Sequence, residues 1–236
     1  MTCHLSAESV FKTYQREGAP DVEALRGVDL CVEAGEFVAV TGPSGCGKST
    51  LLTVLSGLDL PTSGKVIIAG QDITTSSEKE LAQLRNTEIG FVFQSFHLVA
   101  SMTALENVAF PAELAGSKEA LAKAKQLLDE VGLSDRRDSF PHQLSGGEKQ
   151  RIALCRALVN DAKMIFADEP TGNLDSANGE HVLDLLVSLQ KEKGSSLILV
   201  SHSPEVVAKA DRVITMRDGR VVDRNDPIAA KGQKHV

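Results

Sequence analysis

The chain of 236 residues sets 32 acidic against 25 basic residues, a formal net charge of −7, with 42% hydrophobic and 24% charged residues. That balance is that of a packed globular protein rather than a disordered or fibrous one, and the acidic surplus argues against a general nucleic-acid binder, which needs a basic face to neutralise phosphates. No apolar run nears the roughly 20 residues that cross a bilayer, and the first ten residues lack the layout of a signal peptide, so the chain is expected to stay in the cytoplasm.

In chain order, Glu36 to Thr41 reads as a strand running into a glycine-rich turn, and Ser49 to Leu55 as the helix behind it. Ile89 to Phe93, Met164 to Ala167 and Leu197 to Ser201 read as further buried strands. Between them, Leu121, Ala124, Leu127, Leu128 and Val131 make an apolar stripe at helical spacing that Gly132 closes, and Val182, Leu185, Leu186 and Leu189 make another before Gly194. Strands interleaved with helices predict an α/β fold around a mainly parallel sheet, with 95–160 as an inserted helical subdomain. No internal repeat or linker divides the chain, so all its motifs share one fold. Cys3, Cys31, Cys46 and Cys155 show neither paired CxxC spacing nor the density of a disulfide scaffold, so neither zinc nor a disulfide is expected.

The strongest chemical signal is Gly42-Pro43-Ser44-Gly45-Cys46-Gly47-Lys48-Ser49-Thr50, a complete P-loop between a strand and a helix. Its glycines let backbone N–H groups converge on phosphate oxygens, Lys48 reaches the β and γ phosphates, and the Ser49 hydroxyl can ligate Mg²⁺. A flexible glycine turn would not need this strand-turn-helix context. Cys46, inside the cradle, is a thiol whose alkylation should block nucleotide binding.

Met164 to Glu169 is an apolar strand ending in two acids. Asp168 suits indirect coordination of Mg²⁺, and Glu169 suits orienting or deprotonating an attacking water. Taken alone the pair is weak, since many strand ends carry two acids; its weight comes from the P-loop upstream. Leu144-Ser145-Gly146-Gly147-Glu148 opens a further helix, and two glycines at a helix start can admit a second phosphate. A simple N-cap would account for Ser145 but not for two phosphate cradles in one chain.

The stretch Leu144 to Arg151 resembles the signature of ABC ATPases. The resemblance spans nearly the whole chain, 1–236, in the family's order: the P-loop, Gln94 after Phe93 (Q-loop), the signature, Asp168-Glu169, Asn173-Leu174-Asp175 (D-loop) and His202 (H-loop). It implies a P-loop NTPase core of 1–94 and 161–236, an antiparallel β subdomain, and the inserted helical subdomain at about 95–160. It further implies that Gln94 contacts Mg²⁺ and the attacking water and reports nucleotide state, and that His202 hydrogen-bonds the γ-phosphate. Tyr14, the only Tyr, would stack on adenine, and Ser145 to Glu148 and Asp175 would meet the nucleotide of a second subunit.

Ser203 stands after His202 where relatives often carry Asp. Glu169 to Asp175 with Thr103 to Val108 looks like the subgroup of lipoprotein-release (LolD), macrolide-export (MacB) and cell-division (FtsE) ATPases. The resemblance thus implies a homodimer sandwiching two ATP with Mg²⁺, at the cytoplasmic face of a membrane, driving a permease encoded elsewhere. The competing expectation is a soluble ABC-type ATPase acting on nucleic acid or ribosomes; no coiled-coil, zinc or second ATPase segment supports it.

Overall fold

The computed structural model describes residues 3–222. In chain order they form β1 (Cys3–Tyr14), β2 (Val22–Glu33), β3 (Phe37–Thr41), α1 (Lys48–Leu55), β4 (Ser63–Ile68), β5 (Gln71–Asp72), α2 (Glu78–Thr87), β6 (Ile89–Phe93), α3 (Ala104–Leu114), α4 (Ala120–Glu130), α5 (Gly146–Leu158), β7 (Met164–Asp168), α6 (Ser176–Lys193), β8 (Ser196–Val200), α7 (Pro204–Lys209), β9 (Arg212–Arg217) and β10 (Arg220–Val221). The chain divides into two compact units: residues up to Leu81 with those from Ile198 onward, and Ala82–Leu197.

In the first unit, β2, β1, β4 and β5 pair in that order as an antiparallel sheet. A second group sets β3 parallel to β9, with β10 antiparallel to β9. Phe37 to Val40 are wholly buried, as expected for a parallel strand covered on both faces. Arg212 opens β9 and forms an ion pair with Glu36 at 2.7 Å. The Asp211 carboxylate accepts the Phe37 N–H at 2.9 Å, which holds the start of β3 beside β9.

Contrary to the expectation of four free thiols, Cys3 and Cys31 form a disulfide. Antiparallel pairing sets Ser6 opposite Cys31 and Cys3 opposite Glu33, and the Cα atoms of the two cysteines stand 5.5 Å apart, a span a disulfide bridges. Spacing along the chain carries no trace of that pairing. Cys46 and Cys155 are free and buried, and burial pushes the Cys155 thiol well up from its ordinary value.

In the second unit, β6 and β7 run parallel in register from Ile89↔Met164 to Phe93↔Asp168. α5 lies against β6 so closely that a Cβ on Gly90 would stand 2.3 Å from the Ala157 carbonyl oxygen. α3 starts with a reciprocal Thr103–Glu106 capping box, and α6 is capped by Asp175 before it and by Gly194, φ 65°, after it. The α4 stripe buries Ala124, Leu127, Leu128 and Val131, whereas Leu121, expected in it, is 49% exposed. It lies in the first turn of the helix. In α6, Val182, Leu186 and Leu189 are buried and Leu185 is half-buried.

Among the described residues no helix is long and apolar enough to cross a membrane.

Candidate functional site

The first unit carries the P-loop. β3 ends at Thr41, and the chain turns through Gly42 and Gly47, with φ of 141° and 102°. Only glycine fits there: a Cβ would come within 2.2 Å of the Met216 carbonyl at position 42 and within 2.4 Å of the Ala24 carbonyl at position 47. Gly45, φ 78°, has open space where its Cβ would stand.

α1 then follows Gly47, its N-cap, with no side-chain cap, which leaves its first N–H groups available for an anion. Lys48 is buried and its Nζ donates to the Gly42 and Pro43 carbonyls at 2.8 and 3.0 Å. The loop therefore gathers a cation, uncapped N–H groups and glycines without obstructing side chains, a donor set that fits phosphate. Cys46 is 5% exposed, so alkylation there needs the loop to open.

An open cleft of about 570 Å³ runs from this loop, floored by Gly45, Gly47 and Lys48 to Thr50. Its volume falls in the range of small-ligand sites. Tyr14 lines one side; its hydroxyl donates to Asp59 at 3.1 Å, and Lys12 Nζ stands 4.9 Å from its ring centroid. Burial and the neighbouring Asp59 push the Tyr14 hydroxyl up. Asp59 sits low: burial opposes its ionisation, but hydrogen bonds from Lys12 and Tyr14 and the Lys12 charge outweigh it.

The far wall comes from Val22 to Ala24, Arg26, Asp218 and Gly219, none of which belongs to a motif. Gly219 ties it together, donating its N–H to the Cys46 carbonyl at 3.0 Å and accepting the Arg26 N–H at 2.8 Å. The Asp-Gly pair between two short strands was the one available sign of a turn there.

His202 follows β8 and is exposed. The departure at Ser203 is absorbed locally: its N–H donates to Ser201 Oγ at 3.0 Å, its hydroxyl bonds Glu205, and it occupies the N-cap position of α7.

The second unit brings Gln94, Glu169 and the D-loop together. Gln94 Nε2 donates to Asn173 Oδ1 at 3.2 Å, and Asn173 Nδ2 donates back to the Gln94 carbonyl at 3.0 Å. Glu169 follows β7 with φ 44°, a left-handed backbone rare for a non-glycine residue and typical of sites where a side chain is aimed. Its carbonyl accepts the Gly172 N–H at 3.0 Å, closing a turn.

In the signature, Ser145 N–H donates to Glu148 at 2.8 Å while Ser145 Oγ accepts the Glu148 N–H at 3.3 Å, a capping box. Arg136 pairs with Glu148 at 2.9 Å. The backbone bond from Ser145, chiefly, holds the Glu148 carboxyl below its usual range against the cost of burial. The two glycines also have a packing reason: a Cβ on Gly147 would stand 3.0 Å from Asn178 Oδ1, and one on Gly146 3.2 Å from Leu174. Asp175 accepts Asn178 N–H at 3.0 Å and Asn178 Nδ2 at 2.6 Å, so its carboxylate caps α6.

A nucleotide-sized cleft behind a P-loop defines a P-loop nucleotide-binding protein. The family model described as ABC transporter matches residues 25–172. An uncharacterised ABC transporter ATP-binding protein of Methanocaldococcus jannaschii is 48% identical over 93% of this chain and 98% of its own length. The macrolide export ATP-binding/permease protein MacB of Escherichia coli is 46% identical over 98% of this chain, which spans only 36% of MacB. Among solved structures, the dimeric ATP-binding cassette MJ0796 in a post-hydrolysis state bound to ADP and Pi superposes with a TM-score of 0.85 at 39% identity, covering 93% of this chain and 97% of that one.

The chain belongs to the ABC transporter family, as an ATP-binding and ATP-hydrolysing subunit of the type that includes the LolD, MacB and FtsE ATPases.

Proposed function

We propose that two copies of this chain close on two ATP molecules, and that this closure and its reversal by hydrolysis drive a separate membrane permease from its cytoplasmic face. The observation that carries the reading is the presence of two glycine-lined helix starts in one chain, α1 behind the P-loop and α5 behind Ser145. Each suits one side of a phosphate group. The dimeric state of MJ0796 with ADP and Pi supports the pairing, and the fusion of cassette and permease in MacB supports a permease partner. The cargo would be a lipoprotein, or a macrolide or peptide for export, and 95–160 would be the inserted segment facing the permease.

In this mechanism the Gly42 to Thr50 backbone and Lys48 hold the phosphates, Tyr14 stacks on the adenine, and Ser145 to Glu148 with Asp175 complete the site of the second copy. Ser49, Gln94 and Asp168 would hold Mg²⁺, whose chemistry is to neutralise charge on the phosphates. Glu169 orients the water and takes its proton, and His202 donates to the γ-phosphate. Charge develops on the transferring group, so fixed donors such as Lys48 stabilise it without reorganising.

Size-exclusion chromatography with light scattering tests the reading. Glu169→Gln should be inactive and accumulate as a dimer with ATP and Mg²⁺, and Lys48→Ala should stay monomeric. A Glu169→Gln protein that remains monomeric even when co-expressed with its permease would overturn the shared-site arrangement.

A further inference from the structure

α5 holds the chain around Gln94 through two side chains that the mechanism leaves unused. Gln150, 0% exposed, donates from Nε2 to the Phe93 carbonyl at 3.3 Å, the peptide that leads directly into Gln94. Less than two turns on, Arg156 donates to the Phe96 carbonyl at 2.8 Å and the His97 carbonyl at 2.5 Å. Both acceptors have left-handed backbones, φ 60° and 48°, so Arg156 holds a turn that would otherwise relax. With the Asn173 bond to the Gln94 carbonyl, the peptides on both sides of Gln94 are fixed.

The Gln150 amide is an expensive way to make this bond. Its Oε1 is buried and has no hydrogen-bond partner among the described residues. Turning the amide over would set Oε1 against the Phe93 carbonyl, acceptor to acceptor, so neither orientation satisfies both atoms. A buried unpaired oxygen destabilises, whereas an apolar side chain of the same length would fill the space without that cost. Folding stability alone therefore disfavours glutamine at this position.

We propose that Gln150 is a positioning residue for ATP hydrolysis: its Nε2 fixes the Phe93–Gln94 peptide and thereby sets where the Gln94 amide stands when nucleotide is bound. The inference rests on the reading of Gln94 as the amide that faces metal and water. Because Gln150 lies in the same helix that begins with the signature, one rigid element carries both the Ser145 cradle and the hold on Gln94.

The experiment compares Gln150→Met, Gln94→Ala and the double variant in the full chain, measuring melting temperature, affinity for a fluorescent ribose-labelled ATP analogue, kcat and KM. Gln150→Met should melt at or above the parent temperature and bind the analogue within twofold of the parent. Its kcat should fall by about tenfold or more, the scale of a reacting group misplaced by a fraction of an ångström. Gln94→Ala should also lose kcat, and the double variant should be no worse than Gln94→Ala, since Gln150 acts through it.

Parent-like kcat in Gln150→Met with loss in Gln94→Ala would overturn the proposal and leave the role of Gln94 standing. Parent-like kcat in Gln94→Ala would overturn the role of Gln94 itself. Additive losses, or a lower melting temperature that accompanies the lost rate, would show Gln150 to be merely structural.

Discussion

Asp168 stands opposite Phe93 in the parallel β6–β7 pair, so Glu169 and Gln94 leave adjacent strands at the same level. Strand register alone puts a carboxylate and an amide side by side, and the left-handed turn at Glu169 distinguishes it from Asp168, which ends the strand. Glu169→Gln keeps the size and hydrogen bonding of the side chain but removes its basicity. Steady-state ATPase assays should show a loss of about 10²–10⁴-fold with ATP affinity retained. A variant hydrolysing at the parent rate would remove Glu169 as the base.

Tyr14 separates stacking from hydrogen bonding. Tyr14→Phe keeps the ring, loses the hydroxyl contacts with Asp59 and Thr50, and should bind ATP almost as the parent does. Tyr14→Ala loses the ring face and should bind about three- to tenfold more weakly, by equilibrium titration with ATP. Equal weakening in both variants would assign the effect to the hydroxyl contacts with Asp59 and Thr50 instead.

The signature helix start should be acid-sensitive. Glu148 titrates below its usual range in the folded chain, so the stability it lends is present above the ordinary carboxylate range and is lost as pH falls through its lowered value. Ser145→Ala removes the acceptor of the Glu148 N–H and should cost about 1 kcal/mol. Urea denaturation across acidic pH should show a shallower decline for Glu148→Gln than for the parent.

Asn107, 1% exposed, pins the loop after Gln94: its Oδ1 accepts the Val99 N–H at 2.7 Å, and its Nδ2 shares two hydrogens among the carbonyls of Val99, Met102 and Thr103 at 3.1, 3.0 and 2.9 Å. Asn107→Leu should cost about 2–4 kcal/mol, because it leaves several backbone groups without their partner. A change within about 0.5 kcal/mol would mean that water replaces the amide freely.

In the sequence, Phe96, Leu98, Val99 and Met102 of that same loop make an apolar segment beside Gln94, which suits a dock for a permease helix. Of these, Val99 is 40% exposed, whereas the Phe96 ring comes within 3.9 Å of a Cβ built on Gly146 and so bears on the signature. Val99→Asp is the cleaner probe. It should weaken co-purification with the permease and leave ATP affinity unchanged; intact co-purification would place the dock elsewhere.

The motifs are legible in sequence because they depend on residue types at fixed spacing: the glycines of 42–47 lie between β3 and α1, Ser145 precedes α5, and Asp168 and Glu169 stand at the end of β7. What escaped depends on register and tertiary approach. Gly219, Arg26 and Ala24 reach the cleft only because β2 meets the β9–β10 turn, and nothing near them in sequence signals a ligand. Gln150 looked like an ordinary helical residue, since its hydrogen bond crosses 57 positions. The Cys3–Cys31 disulfide was missed for the same reason, a pairing decided across an irregular antiparallel ladder.

Tyr14, Val22, Glu23, Ala24 and Arg26 all fall between Cys3 and Cys31, so both Tyr14 and much of the far wall of the nucleotide cleft belong to a covalently closed ring. The exposed stretch 15–21 is the natural point for a protease to cut that ring. A single nick there opens the ring without releasing a fragment: the two pieces stay one molecule, migrating together in a denaturing gel until a reductant parts them.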